Sequence, residues 1–407
     1  MLCLVAMTAP FDLNLRHLRA LGNVVALRSL NRAAEAAGLS QPALTQGLGK
    51  LEKQLGVLLF DRHSGGVTPT PAGLAMAERA ELAFSHLAAA TRRPGRTGAR
   101  GFSRPEQLMT ATQLEAFVHF SNAQGFAGAA AASGLSQPGI HRAVRELEQI
   151  CGAALAERRG RGMMLTPAGR AMARGVRLAA REIAAGIDEA RGDPEGGARI
   201  SIGAMPLSRA LVVPRAIAHF LRESPGTVID VVEGSWRELV DPLLDGVIDV
   251  MVGALRDNPP AEIDQVALFT DRLAVFARKG HPLAGRPVTL ADLHGQSWVV
   301  GPHGTPLRAH WQELFAGDPP PVPVECGSVM VIRGLVMQSD LLTLLSPDQI
   351  AVELDTAMLV RIDLDLPGSI RTIGISTRHG WRPTRAQQRL VDLLHQASIE
   401  TRLHENQ

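Results

Sequence analysis

The sequence predicts a multidomain chain in which two small, α-rich modules, each closing on a short hairpin, precede a larger α/β domain. Three observations carry this. Gly38-Leu39-Ser40-Gln41-Pro42 recurs as Gly134-Leu135-Ser136-Gln137-Pro138, 96 residues on. The same offset maps Ala33-Ala34 onto Ala129-Ala130, Leu51-Glu52 onto Leu147-Glu148, Gly56 onto Gly152, Arg62 onto Arg158 and Thr70-Pro71-Ala72-Gly73 onto Thr166-Pro167-Ala168-Gly169. No insertion separates the copies internally, so one module is present twice. From Arg199 onward, short apolar runs alternate with helical ones, the pattern of an α/β domain. Finally, residues 1–198 carry seven more basic than acidic side chains and the remainder five more acidic than basic, although the whole chain is only +2. A basic half joined to an acidic half implies that the first meets a polyanion and the second does other work.

Composition narrows the class. At 407 residues the chain exceeds one ordinary hydrophobic core. An apolar fraction of 45% with 20% charged residues is that of a globular protein. No run reaches the roughly 18 apolar residues of a membrane helix. The apolar start, Met1 to Met7, lacks the basic flank and long apolar stretch of an export signal, so a cytoplasmic location is expected. Cys3, Cys151 and Cys326 are far apart without a CxxC pair, which argues against disulfides and against a structural metal site.

Each module reads as helix, helix, tight turn, helix and a two-stranded wing. In copy two, Leu114, Phe117, Val118 and Phe126 follow a helical apolar spacing, and Ala129-Ala130 with Ala132 let a second helix pack closely. Gly134 supplies the left-handed residue that ends that helix. Ser136 caps the next helix, and Pro138 sits in its first turn, where a missing N–H is harmless. This is the chemistry of a helix-turn-helix. Glu157-Arg158-Arg159-Gly160-Arg161-Gly162 then forms a basic hairpin suited to lying along phosphates, and a long helix starts at Thr166-Pro167.

The third helix of each module is the expected DNA reader. Copy two offers Ser136, Gln137, Pro138, His141, Arg142 and Arg145, with Arg158, Arg159 and Arg161 on its wing. Copy one offers Ser40, Gln41, Pro42, Thr45 and Gln46, with Arg62 on its wing. Arginine is the commonest reader of guanine, and copy one's helix is weakened by Gly47 and Gly49, so copy two is expected to be the stronger contact. Copy two in turn replaces Leu59-Phe60-Asp61-Arg62 with Leu155-Ala156-Glu157-Arg158, which predicts a less firmly packed wing. Between the modules, Arg92, Arg93, Arg96, Arg100 and Arg104 form either a solvated linker or an arm tracking the DNA backbone. In the helix from Pro167, Ala168, Met172, Val176, Ala179 and Ile183 make an apolar stripe suited to pairing with the same helix of a second subunit.

These residues resemble the LysR-type transcriptional regulators. The pattern Ala-Ala, Leu-Ser-Gln-Pro, Leu-Glu-x-x-x-Gly-x-x-Leu-Phe-Asp-Arg and Thr-Pro-Ala-Gly is similar to that family's winged helix-turn-helix. The resemblance extends over nearly the whole chain and departs in the second, tandem module. It implies a two-lobed, periplasmic-binding-protein-like effector domain. The expected organisation is copy one at 13–71, a helix at 72–91, a basic linker at 92–107, copy two at 108–166, a dimerising helix at 167–191 and the effector domain at 199–402. Its first lobe is placed at about 199–266 and 364–402, its second at about 267–363.

In the effector domain, 200–203, 228–232 and 248–252 read as strands, separated by helical runs at 207–222 and 235–244. Further strands are expected at 273–277, 298–300, 322–326 and 341–345, with a return through 359–378 and a last helix from about Thr384. Ligands of such sheets bind beyond the carboxyl ends of strands. Three loops qualify: Met205-Pro206-Leu207-Ser208, Gly301-Pro302-His303-Gly304-Thr305 and Gly327-Ser328. The candidate effector residues are Leu207, Ser208, Gly253, Pro302, Thr305 and Ser328, offering N–H and hydroxyl donors to an anionic group, expected to be the carboxylate of a small organic acid. Ser208, Thr305 and Ser328 could equally cap their own helices, and the resemblance favours the cleft. Cys326, adjacent to that cleft, reads either as a redox sensor or as a small apolar residue, and the absence of a basic neighbour favours the second.

An enzyme is the rival from another class, but no GxSxG, GxxxxGK[ST], HExxH or post-strand GxGxxG is present and the 13 histidines form no ligand pattern. No cofactor, metal or membrane partner is expected. A purely architectural DNA binder is the other rival, and it leaves the effector half without a purpose. The expected partners are double-stranded DNA, a small effector, other copies in a dimer or tetramer, and RNA polymerase.

Overall fold

The computed structural model describes residues 8–63, 66–92, 102–123, 125–160, 162–192, 199–206, 208, 210, 212–315, 317–366 and 368–405. It divides into two compact units, the first holding both helical modules and the second the α/β domain. Arg161 and Leu207 among the candidate site residues, and Arg93, Arg96 and Arg100 of the linker, lie outside the described residues.

Copy one is α1 (Leu15–Leu27), α2 (Leu30–Ala36), α3 (Gln41–Leu55), β1 (Phe60–His63), β2 (Gly66–Pro69) and α4 (Pro71–Thr91). Copy two is α5 (Ala111–Asn122), α6 (Phe126–Ser133), α7 (Gln137–Cys151), β3 (Ala156–Arg159), β4 (Gly162–Leu165) and α8 (Pro167–Arg191). The third helix, both wing strands and the start of the long helix keep the offset residue for residue. Gly38 and Gly134 close α2 and α6 with φ of +60° and +70°.

The repeated motif residues have structural work in both copies. Glu52 accepts N–H bonds from Leu59 and Phe60 (3.0 and 3.3 Å), and Glu148 from Leu155 and Ala156 (2.8 and 3.2 Å), tying the third helix to the wing. Thr70 and Thr166 each donate to a carbonyl before the wing and accept from Gly73 and Gly169. A Cβ on Gly73 or Gly169 would run into the carbonyl oxygen of Leu59 or Leu155. Phe60 is buried, and its counterpart Ala156 only half-buried, yet β3 pairs with β4 in the register of β1 with β2.

The long helices depart from expectation. The stripe of Met172, Val176, Ala179 and Ile183 on α8 is buried, and what covers it is α4 of the same chain rather than α8 of another. A Cβ on Gly186 would lie 2.9 Å from Met76 Sδ, and one on Gly175 would lie 2.5 Å from Ala90 Cβ, so the helices run antiparallel and closely apposed. Their buried residues and those of both modules form one continuous apolar core. A stripe suited to the same helix of a second subunit also suits α4, which is the duplicated counterpart of α8.

The α/β unit comprises β5 (Arg199–Ala204), α9 (Val212–Glu223), β6 (Val228–Glu233), α10 (Trp236–Leu244), β7 (Val250–Ala254), β8 (Ile263–Arg272), β9 (Ala274–Arg278), α11 (Leu290–His294), β10 (Val299–Val300), α12 (Pro306–Leu314), β11 (Val324–Glu325), α13 (Val329–Met337), β12 (Thr343–Leu345), α14 (Ala351–Asp355), β13 (Leu359–Arg361), β14 (Ile370–Arg378) and α15 (Arg385–Glu405). The first lobe has the sheet β6-β5-β7-β14-β8; the second has β12-β9-β13 and the parallel pair β10-β11. The expected boundaries at 266/267 and 363/364 move, because β8 belongs wholly to the first sheet through its pairing with β14, and Leu366 packs in the second lobe's core. The chain crosses at Leu273 and returns at Ile370. The helix expected from 207 starts at Val212.

Candidate nucleic-acid interface and effector cleft

The two third helices present matching faces. Ser40 and Ser136 cap them, accepting from Ala43 N (3.4 Å) and Gly139 N (3.2 Å). Gln41, Pro42 and Gln46 are exposed on α3 with Thr45 half-buried, and Gln137, Pro138, His141, Arg142 and Arg145 are exposed on α7. Leu44, Leu48, Ile140 and Val144 face the core. His141 rests against Phe126, ring centroids 5.0 Å apart. Arg62, Arg158 and Arg159 are exposed on the wings.

The charges are distributed differently than the sequence suggested. Arg142 Nε donates to Glu146 (2.9 Å) and Arg145 to Glu148 (3.2 Å), so both arginines are partly neutralised on their own helix. The Gln113 amide and Arg142 hold the Glu146 carboxyl below its ordinary range. Copy one places Lys50 and Lys53 where copy two has Glu146 and Gln149. Both lysines are exposed, border a groove shared with His17 and Gln46, and have no ion pair among the described residues. Comparing the whole length of the two helices, instead of their first turns, would have found them. Gly47 also has a reason: a Cβ there would lie 2.6 Å from the His17 ring, which burial holds below its ordinary pKa, with Lys50 and Arg16 adding to the shift.

In the α/β unit a cleft of about 530 Å³ opens between the lobes. It is lined by Pro206, Ala210 and Glu233 of the first lobe and by Gly327, Ser328, Val329, Met330, Arg333 and Gln349 of the second. Of the candidate effector residues the structure brings Ser328 into it. Pro302 borders Gly327, its ring 3.7 Å from where a Cβ of that glycine would be. Three others are not among the residues lining this cleft. Ser208 is buried, its hydroxyl engaged with the carbonyl oxygens of Met205 and Val252 (3.0 and 2.9 Å), so it fastens the loop after β5. Thr305 caps α12, donating to Pro302 O and accepting from Arg308 N. Gly253 is a packing glycine: a Cβ there would lie 2.6 Å from Met205 Cβ. Both hydroxyls serve nearby backbone, and the glycine makes room for the Met205 side chain.

The cleft's charged groups were missed. Arg333, the single charge in Val329-Met330-Val331-Ile332-Arg333-Gly334-Leu335-Val336-Met337, pairs with the buried Glu353, contacts Met330 Sδ at 3.1 Å and keeps a buried Nε without a partner. A lone charge inside an apolar helix was the available signal. Glu233, at the end of β6, adds a negative charge on the opposite wall. Ser328 caps α13, accepting from Val331 N at 3.5 Å, so helix N–H groups and a guanidinium share one wall.

The description "Bacterial regulatory helix-turn-helix protein, lysR family" matches residues 15–74 and again 111–170. "LysR substrate binding domain" matches residues 193–398. The chain is 33% identical over 394 residues to the HTH-type transcriptional regulator GalR of Pseudomonas putida, covering 95% of this chain and 98% of that one, a span that takes in both helical modules. The fold is similar to that of ArgP from Mycobacterium tuberculosis, with a TM-score of 0.59 at 16% identity over 70% of this chain and 96% of that one. It is likewise similar to full-length CbnR complexed with its target DNA, with a TM-score of 0.50 at 22% identity over 70% of this chain and 98% of that one.

Proposed function

Because this chain belongs to the LysR family of bacterial transcriptional regulators, we propose that it reads double-stranded DNA in the cytoplasm with both winged modules and answers to a small carboxylate-bearing effector held between its lobes. It is a DNA-binding regulator with an effector domain, not an enzyme. The observation that supports the carboxylate is Arg333, which lines the cleft together with Ser328, the residue that caps α13. A carboxylate there receives charge-assisted bonds from a guanidinium that Glu353 and Met330 hold in place. Glu233 on the opposite wall repels a second anionic group and suits a hydroxyl or amine donor, so the effector carries its charge at one end.

The same proposal gives the modules complementary roles. Arg142 and Arg145 leave Glu146 and Glu148 to contact base edges, whereas Lys50 and Lys53 neutralise phosphates. Closure of the lobes on the effector shifts the regulator between states by the difference in affinity for the two, and the readout at RNA polymerase follows that shift. The test is a panel of small aromatic and aliphatic carboxylates alongside their matched neutral amides, read by thermal unfolding. Carboxylates are expected to raise the melting temperature of the wild type but not of Arg333→Gln, which keeps wild-type DNA affinity. A response to the amides equal to that of the acids would refute the assignment.

A further inference from the structure

The constant offset allows contacts between the two modules to be checked for two-fold symmetry, since exchanging the copies maps each residue of copy one onto the residue 96 later and the reverse. The contact of Arg79 with Gly186, where a Cβ would lie 3.0 Å from Arg79 Cβ, maps onto that of Ala90 with Gly175, and a Cβ on Gly175 lies 2.5 Å from Ala90 Cβ. The ion pair of Arg79 with Glu182 (2.8 Å) maps onto His86 with Gly175, where the same Cβ lies 2.9 Å from the His86 carbonyl oxygen. The short 3₁₀ turns that precede the modules behave alike: Pro10–Asp12 packs on α8, and Pro105–Gln107 packs on α4. Residue i touching j′ while j touches i′ is the mark of an isologous dimer interface, here closed within one polypeptide.

Side-chain identities make this pairing heterotypic. Arg79 is buried and meets Glu182 and Glu189 of α8. An α8–α8 pair would leave those carboxylates without Arg79 and set Gly175 against Gly186 over a void. An α4–α4 pair would bury two arginines without a carboxylate and set Arg79 against Ala90. Both alternatives are penalised, the first by unfilled space and the second by uncompensated charge. Nineteen residues join Thr91 to Ala111, a tether short enough to hold the two helices at an effective concentration on the order of millimolar.

We propose that one chain is by itself the two-headed reading unit that a dimer would otherwise supply, and that its operator is bipartite with two unlike half-sites, one for α3 and one for α7. This rests on the reading of both modules as DNA binders. The half-sites differ because the exposed faces differ: Thr45, Gln46 and Lys50 on α3 stand where α7 has His141, Arg142 and Glu146. Any higher assembly then forms through surfaces other than the α8 stripe, which is already covered.

Two measurements on the full chain test this. Duplexes enriched from a random pool by the wild-type protein are expected to carry two different half-sites at fixed spacing, with one chain per pair of half-sites by native mass. Arg142→Ala should weaken binding about tenfold or more and relax base preference in one half alone. Enriched palindromes, each half-site taken by a separate chain, would overturn the proposal. A pool with no enrichment would overturn the DNA reading along with it. Separately, light and ¹⁵N-labelled wild-type chains are unfolded together, refolded and cross-linked through carboxylates of α4 and α8 with a dihydrazide. Links within single-isotope chains support the intrachain pairing of α4 with α8 whatever the DNA result, and mixed-isotope α4–α8 links refute that pairing and the proposal with it.

Discussion

At the scale of the residue, close backbone approach and burial decide more than propensity does. Ala is the better helix former by up to about 1 kcal/mol, so Gly49→Ala, with open space around the new Cβ, should stabilise the chain by roughly that amount. Gly169→Ala places its Cβ on the Leu155 carbonyl, and a loss of about 1–3 kcal/mol is expected in urea unfolding. The sequence marks both positions as glycine in a helix, and only the neighbouring backbone separates them. His17 gives a pH prediction. Burial, then Lys50 and Arg16, lower its pKa, and its Nδ1 is buried without a partner, so the folded state favours the neutral ring. The unfolded chain then binds more protons. The stability tied to this histidine is therefore fully present above its ordinary pKa near 6.5 and is lost as the pH falls through the lower folded value. Burial shifts His281 and His310 the same way. His17→Gln, the residue copy two carries as Gln113, should flatten the fall in melting temperature of the first unit between pH 7 and pH 5. An unchanged slope would exclude His17 as a contributor.

At the scale of the element, α4 and α8 are held by an apolar stripe and one buried charge cluster. Burial opposes the charge on Arg79, yet hydrogen bonds to Glu189 and Glu182 outweigh it and hold the guanidinium above its ordinary pKa. Arg79→Ala leaves two carboxylates in a largely apolar seam. We expect a loss of about 3 kcal/mol, near the lower end for a broken buried pair because both carboxylates still touch solvent. Restoring the charge as Arg79→Lys should recover only part, since one ammonium cannot reproduce the fork that serves both partners. Equilibrium unfolding followed by helix signal would show the two variants ranked in that order. The amphipathic period of α8 was legible from its sequence, and the identity of what it packs against was not, because a stripe of Met, Val, Ala and Ile fits any similar stripe.

At the scale of the whole molecule, the proposed function sets two groups of basic side chains on one polyanion. Each phosphate neutralised adds about 0.9 to the slope of log K against log salt. Lys50→Ala should lower that slope by about this much while leaving base preference intact, and Arg142→Ala should alter base preference. If removing residues 1–107 left both footprint and slope unchanged, copy one would not be on the DNA. The cleft proposed for the effector belongs to the other unit, so the carboxylate response and the salt slope should be separable by mutation, with Arg333→Gln affecting the first alone.

The sequence by itself determined the duplicated winged module, the switch to an α/β domain and the faces of α3 and α7, since helix caps, periodicity and glycine turns act over a few residues and repeat wherever the module does. It also placed most strands of the effector domain. Only the tertiary structure decided that β8 stays in the first sheet, that α8 is paired within its own chain, that Ser208 and Thr305 spend their hydroxyls on nearby backbone, and that Arg333 turns a charged position in an apolar helix into the wall of a cleft. These depend on which donors and surfaces meet across dozens of residues. Local pattern fixes what a segment can offer, and packing fixes what it is used for.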